Sequence, residues 1–261
     1  MKIGLIGGSG LYEIEGLEIS EEVSISTPYG EPSSVYKTGT ISDIEVIFLP
    51  RHGEKHAIPP HKINYRANIW GFRHLGVERI ISVSATGGIN KELDAGNIVL
   101  LDQVIDMTMG ARPSTFYDEG RVIHVDLTNP YCPEMRDLFI KASDAVKLPL
   151  KTSGTYVCSN GPRLETAGEI KFFSIAGADV VGMTAMPEAA LARELEICLC
   201  GLAVVANPAA GTYEGKLTVT EVLETMKKSS DRIKALIKEA ILNIPAIRSC
   251  PCKDALKDAG L

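Results

Sequence analysis

Several stretches pair glycine or proline with side chains able to grip an anion or address a polar ring. Gly7-Gly8-Ser9-Gly10 closes a short apolar run. Its glycines let backbone N–H groups approach a phosphate, and Ser9 adds a hydroxyl. A dinucleotide fingerprint is excluded because GxGxxG starting at Gly8 needs glycine where Glu13 stands, and the GK pair of a Walker loop is missing. Arg51-His52-Gly53-Glu54-Lys55-His56 follows Pro50. A guanidinium there can fork onto two oxyanion oxygens while His52 and His56 donate through ring nitrogens; a polar loop of unrelated charges is the alternative. Ser84-Ala85-Thr86-Gly87-Gly88 is a third ending in hydroxyls and glycines. In Asn160-Gly161-Pro162-Arg163-Leu164-Glu165-Thr166, Gly161 permits unusual backbone angles and Pro162 fixes its own, a sharp break that presents Glu165. Glu165 reads equally as a solvated acid in the first turn of a helix, favoured there by the helix dipole.

These residues need elements to carry them. Lys2 to Ile6, Ile44 to Leu49 and Val77 to Ala85 read as strands feeding the first three loops, and Tyr156 to Cys158 as the strand before the fourth. Ligands in open parallel sheets bind beyond the carboxyl ends of strands, which is where each loop falls. Ile98 to Asp106 predicts one further strand, Asp179 to Val181 a short one, and the apolar Ile197 to Ala206 a strand buried on both faces, ending at Asn207-Pro208. Helices are predicted from Asn64 toward Gly76, from Pro133 to Lys147, around Phe172, from Pro187 through Leu195, and from Val219 to Ile241. Met109 to Glu119 reads as a polar loop, Trp70 as core, His124 as an isolated histidine in an extended stretch, and the tail after Pro245 as irregular.

With 261 residues, 45% hydrophobic and 23% charged, the expectation is α/β: one domain over 1–261, a central mixed β-sheet flanked by helices, with an irregular Cys-containing tail at about 245–261. No run of about 18 apolar residues occurs and the amino terminus lacks a signal-peptide pattern, so a cytoplasmic protein without membrane attachment is expected. A net charge of -6 with both signs interspersed argues against nucleic acid as a partner. None of the six cysteines shows CxxC spacing, so no metal is expected.

In order along the chain, Gly7-Gly8-Ser9-Gly10, Arg51-His52-Gly53, Asn64-Tyr65-Arg66-Ala67-Asn68-Ile69-Trp70, Gly161-Pro162-Arg163 and Met183-Thr184-Ala185-Met186-Pro187-Glu188 resemble the trimeric purine nucleoside phosphorylase and methylthioadenosine phosphorylase family, from Lys2 to about Ile244. The resemblance implies a nucleoside phosphorylase fold and a homotrimer, or a dimer of trimers, with sites near subunit boundaries. It implies a purine nucleoside as substrate and inorganic phosphate as cosubstrate, with no cofactor. It places Ser9, Arg51, His52, Ser84, Ala85 and Thr184 around phosphate, Met183 beneath the ribose, His56 near the phosphate, and His124 at the far end of the ribose.

The same resemblance distinguishes bases. Adenine-type members carry Thr-Asp-Tyr-Asp where this chain has Ala206-Asn207-Pro208-Ala209, and Asn207 with Glu165 is similar to the base-reading pair of 6-oxopurine members. A carboxylate suits the N1–H of a 6-oxopurine and an amide suits its O6, whereas adenine would set a lone pair against Glu165. Leu164 stands where the family usually stacks phenylalanine near the base. Val219 aligns with an apolar residue that suits a 5'-methylthio group. The implied activity is reversible phosphorolysis of S-methyl-5'-thioinosine, with inosine and guanosine as additional substrates; Glu165, Asn207 and His52 act on the reacting groups. A methylthioadenosine phosphorylase and a non-catalytic nucleoside-binding protein are the alternatives. Cys250-Pro251-Cys252 resembles the tail of thermophilic members, which implies disulfides Cys132–Cys198 and Cys250–Cys252 against the alternative of free thiols.

Overall fold

The structure, a computed structural model, describes residues 1–8, 14, 17–213 and 218–260, without the side chain of Val219. Its spine is β1 (Lys2–Gly7), paired in parallel with β4 (Ile44–Pro50) on one side and β5 (Arg79–Gly88) on the other. Beyond β4 lie β3 (Tyr36–Ile41) and then β2 (Leu17–Val23). No strand was expected at either position. The charged, mostly exposed face of β2 hides its alternation, as suits an edge strand.

The decisive feature is a fork at β5. Its partner β1 is last paired at Ile6↔Ser82, and β10 (Val180–Gly182) takes that edge only at Val181↔Gly87, running antiparallel. Between them Val83, Ser84, Ala85 and Thr86 have no strand partner on that side. The other edge is paired throughout with β11 (Cys198–Pro208), whose burial on both faces matches its unbroken apolar sequence. Gly87 and Gly88 let β10 and β11 pack closely on either side of the end of β5. Added Cβ atoms there would stand 3.2 Å from Val181 Cγ1 and 3.0 Å from Val205 Cγ1.

The sheet continues from β10 through β9 (Thr155–Ser159) to β7 (Gln103–Met107), while β6 (Ile98–Leu100) pairs with β11 and with β8 (Leu150–Lys151). The single strand expected over Ile98 to Asp106 is therefore two. At the break, Leu101 N–H turns to Gly201 O and Asp102 Oδ1 accepts from Gly154 N–H, so the segment crosses from one branch to the other.

Helices α1 (Tyr65–His74) and α4 (Ala185–Glu194) pack together on one face, and α2 (Pro133–Ala145) and α5 (Val219–Leu242) on the other. The apolar clusters divide accordingly, with Ile69, Phe72, Leu191 and Leu199 in one and Phe139, Leu202, Leu236 and Ile237 in the other. A smaller cluster seats α3 (Ala167–Ile175) through Ile170 and Phe173 on Val157, Val181 and Ala209. The tail is more ordered than expected. Pro251–Asp254 forms a 3-10 turn, and Gly260 bridges to Ile123. Among the described residues no helix is long and apolar enough to cross a membrane.

Candidate active site

The fork brings the predicted loops together. Arg51 N–H donates to Gly7 O at 3.0 Å, so the ends of β1 and β4 abut beside the unpartnered stretch of β5. Ser84 is half-buried there and Ala85 is exposed. Ala85 offers only its backbone. Ser9 lies outside the described residues.

Arg51 is buried and mostly engaged. Its Nε donates to Glu188 Oε1 at 2.6 Å, and Nη2 to Glu188 Oε2 at 3.2 Å and Ser82 Oγ at 2.8 Å. Its Nη1 donates to Val83 O at 2.8 Å. Ser82 Oγ in turn donates to Glu188 Oε2 at 2.9 Å. Burial opposes the guanidinium charge, and the Glu188 carboxylate outweighs it, so Arg51 stays protonated. The forked grip on phosphate expected from sequence is therefore not available in this geometry. The guanidinium fork is turned onto Glu188, leaving one Nη1 hydrogen and the local field for an incoming anion. Sequence marks Glu188 only as the last residue of the Met183-Thr184-Ala185-Met186-Pro187-Glu188 motif, and it assigns Ser82 no role. An acid following Met-Pro reads as first-turn helix decoration, and only tertiary contact pairs it with Arg51.

His52 also differs from expectation. Its Nδ1 lies 2.8 Å from Ile58 O, an acceptor, so Nδ1 carries the proton and the neutral ring presents Nε2 as an acceptor. Burial pushes its pKa down to about 4, with the charges of Arg51 and His56 adding and the Ile58 bond opposing. At neutral pH His52 therefore stays uncharged, and its Nε2 can accept a hydrogen bond from a partner O–H without taking the proton. His56 is exposed and stacks on His52, ring centroids 4.4 Å apart; its pKa is lowered by burial and then by Arg51.

The low pKa of His52 has a stability consequence. Between about pH 4 and its unfolded value near 6.5, the unfolded chain binds the proton that the native state refuses. Its contribution is complete above about pH 6.5 and is lost as pH falls toward 4, amounting to at most about 3 kcal/mol before screening of the partly exposed ring. Urea midpoints measured across that window should fall less steeply in His52→Gln than in the wild type.

The opposite wall is the turn around Met183 and Thr184. Thr184 is buried and its N–H donates to Tyr156 Oη at 3.2 Å. Met183 packs against Gly161, where φ is +65° and an added Cβ would fall 2.5 Å from Met183 Sδ. Both reasons demand glycine. Gly161→Ala should cost about 1–2 kcal/mol for its backbone alone and push Met183 aside. Urea midpoints at constant m-value check it: Gly161→Ala should lie below the wild type, while Gly177→Ala, where nothing stands within 4 Å of an added Cβ, should show the backbone cost alone.

Arg112, from the segment read as a plain polar loop, ties this wall to the break after β9. Its buried guanidinium donates to Met183 O at 2.8 Å, Met186 O at 2.7 Å, Asn160 O at 2.8 Å and Tyr65 Oη at 2.9 Å. Nothing in its sequence neighbourhood marks it, because every partner comes from elsewhere in the chain.

Glu165 is not a first-turn acid. Helix α3 begins at Ala167 with Thr166 as its cap, and Glu169 completes a reciprocal capping box. Arg163 forks onto Glu169 at 2.7 and 2.9 Å, and the Glu169 carboxyl falls to about 2, chiefly through that hydrogen bond. Glu165 therefore lies before the helix in a braced loop, half-buried, with Oε1 accepting from Ser159 Oγ at 2.5 Å. Asn207 lies across the fork, paired with Gly87 after a bulge, and its Nδ2 donates to Pro208 O at 2.6 Å. The two loops meet just beyond, where an added Cβ at Gly211 would stand 2.5 Å from Ala167 Cβ.

Other predicted residues are less engaged. Leu164 is 55% exposed. His124 is exposed on a segment whose N–H donates to Ala259 O at 2.8 Å, and no hydrogen bond among the described residues ties it to the cradle of its own chain. Val219 begins α5, and its side chain lies outside the described residues.

A mixed sheet forked in this way, with its loops gathered at the strand ends, is the nucleoside phosphorylase fold. A methylthioadenosine phosphorylase from an antarctic soil metagenomic library superposes with a TM-score of 0.92 at 38% identity, over 99% of this chain and 92% of that one. The chain belongs to the phosphorylase superfamily, whose family model matches residues 2–242. It is 54% identical over 259 residues to a Thermodesulfovibrio yellowstonii protein named "Probable S-methyl-5'-thioinosine phosphorylase", covering 99% of this chain and 97% of that one. It is 52% identical over 265 residues to the 6-oxopurine nucleoside phosphorylase of Pyrococcus furiosus, covering 99% and 98%.

Proposed function

We propose that the protein catalyses reversible phosphorolysis of 6-oxopurine nucleosides, with S-methyl-5'-thioinosine as the principal substrate and inosine and guanosine as additional ones. The observation that carries the base assignment is the placement of Glu165. It is lifted out of the helix, held through one oxygen by Ser159, and braced beside the loop of Asn207. Its free oxygen suits a purine N1–H, and the second amide hydrogen of Asn207 suits O6 or N7. Adenine would present a lone pair to Glu165, a mismatch of about 1–3 kcal/mol, or roughly 5- to 150-fold in preference. The names of the two relatives support the same reading.

In the proposed reaction an oxygen of phosphate attacks C1' as the bond to N9 breaks through an oxocarbenium-like transition state. The bonding electrons leave with the purine. The proton that phosphate carried ends on the purine, so charge and atoms balance. Ser9, Arg51, His52, Ser84, the backbone at Ala85 and Thr184 hold the phosphate in line, with His56 beside them and Met183 under the sugar, so positioning and charge stabilisation supply the acceleration. Asn207 answers the charge that accumulates on the base. Leu164 and Val219 border the base and the 5' group.

Exposed Leu164, Phe172 and Ile175, the last 78% accessible, gather along α3 and its leading loop. An apolar patch of this kind suits a second copy of the chain, and a homotrimer would let His124 reach a neighbour's ribose. Release of free base from methylthioinosine, methylthioadenosine, inosine, guanosine and adenosine, each with and without phosphate, tests the reading. Cleavage of the inosine-type substrates only with phosphate is expected. Phosphate-independent cleavage, or faster turnover of methylthioadenosine, would reject it.

A further inference from the structure

At the far end of β11 from Asn207, about 30 Å along the strand, four cysteines from distant parts of the chain converge. Cys132 caps α2, Cys198 opens β11, and Cys250 and Cys252 flank Pro251 in the tail. All four are buried, and their sulfurs lie within 4.8 Å of one another. Each thiol is within hydrogen-bonding reach of the other three. All four sulfurs thus form one cluster small enough for a single ion to touch each of them. A sulfur contact of 3.3 Å joins Cys198 to Cys250, across the disulfide pairings that the sequence resemblance implies. All six cysteines of the chain are free thiols in the structure.

We propose that these four sulfurs form a structural tetrathiolate site for a zinc-class divalent cation. Zinc–sulfur bonds of about 2.3 Å in a tetrahedron place sulfurs about 3.8 Å apart, within the spread observed here. One cation replaces four thiol protons, which pass to solvent, and the assembled centre carries two negative charges. The surroundings answer that charge. Arg248 lies against Cys198 and Cys250, and the Arg193 charge acts on Cys252. Arg193 Nε is buried without a hydrogen-bond partner.

A way in also exists. A cavity of about 410 Å³ runs between α2 and the tail, lined by Glu134, Asp137, Leu138, Pro245 and Cys250. Glu134 Oε2 is buried there and unpaired. Two carboxyl groups leading to a thiol favour entry of a cation. The bound metal would pin the tail onto α2 and β11 without touching the residues proposed for phosphorolysis. Spacing alone conceals the site, because its ligands meet only through the fold.

The test uses the full chain purified under reducing conditions without chelator. One zinc per chain by atomic emission is expected. Exchange with cobalt should give a near-ultraviolet sulfur-to-cobalt charge-transfer band and strong tetrahedral visible bands, a readout taken on the wild type. Cys250→Ser/Cys252→Ser should lose the metal and several degrees of Tm while phosphorolysis below the transition is unchanged, and Cys200→Ser, outside the cluster, should keep it. A second preparation made without reductant that lacks four hydrogens by intact mass contains two disulfides and would overturn the proposal. Six titratable thiols in a reduced, metal-free chain that takes up neither zinc nor cobalt would overturn it as well.

Discussion

Glu188→Gln is expected to destabilise the protein by about 3–5 kcal/mol, because it leaves the Arg51 guanidinium charged and buried without its counter-ion. Arg51 is 2% exposed and Glu188 1%, so water cannot take the partner's place. Arg51→Met should cost a similar amount by stranding the carboxylate. The double variant Arg51→Met/Glu188→Met separates structure from function. Apolar side chains of similar length in place of both ions should restore stability to within about 1–2 kcal/mol of the wild type, while the Michaelis constant for phosphate should rise at least a hundredfold with the lost charge. Urea midpoints at constant m-value report the first quantity and phosphate titration of initial rates the second. If the double variant is as unstable as the single ones, the pair is not what stabilises this region. If it keeps its phosphate dependence, Arg51 has no part in binding the anion.

Glu165→Gln carries the second large effect. An amide in place of the carboxylate can still accept from N1–H through its oxygen, but it can also rotate to donate to the N1 lone pair of adenine. The ratio of kcat/KM for methylthioinosine over methylthioadenosine should fall at least tenfold, with the absolute value for methylthioinosine down about a hundredfold. Asn207→Asp should move the ratio in the same direction by exchanging an amide donor for a carboxylate that accepts from the 6-amino group. The phosphate constant should hold in both variants, since neither residue borders the Arg51 side of the fork. An unchanged ratio in Glu165→Gln would remove Glu165 from base reading and return it to the role of a loop acid bonded to Ser159.

The strands that end at Gly7, Pro50 and Ser159 are legible to within a residue, because a buried strand reads as an apolar run and a loop interrupts it with glycine or a cation; β5 runs three residues past the expected Ala85, to Gly88, where pairing with β10 and β11 carries it on. The long helix α5 is legible for the same reason, through helical spacing of Val222, Met226, Ile233 and Ile237. Edge strand β2 is not, since its exposed residues carry no burial pattern. Nor is the break at Leu101-Asp102, which depends on Gly154 and Gly201 from other segments.

Arg51, His52, Glu165 and Asn207 are determined as chemical groups by the sequence, together with the order in which strands deliver them. What those groups can do was decided by tertiary structure. Glu188 takes up the Arg51 fork, Ile58 O fixes the His52 tautomer, and the capping box of Glu169 excludes Glu165 from the helix. Four cysteines with no metal spacing become one cluster. The physical reason is common to all of them: hydrogen bonds, desolvation and ion pairing depend on distance in space, and the partners concerned lie far apart along the chain.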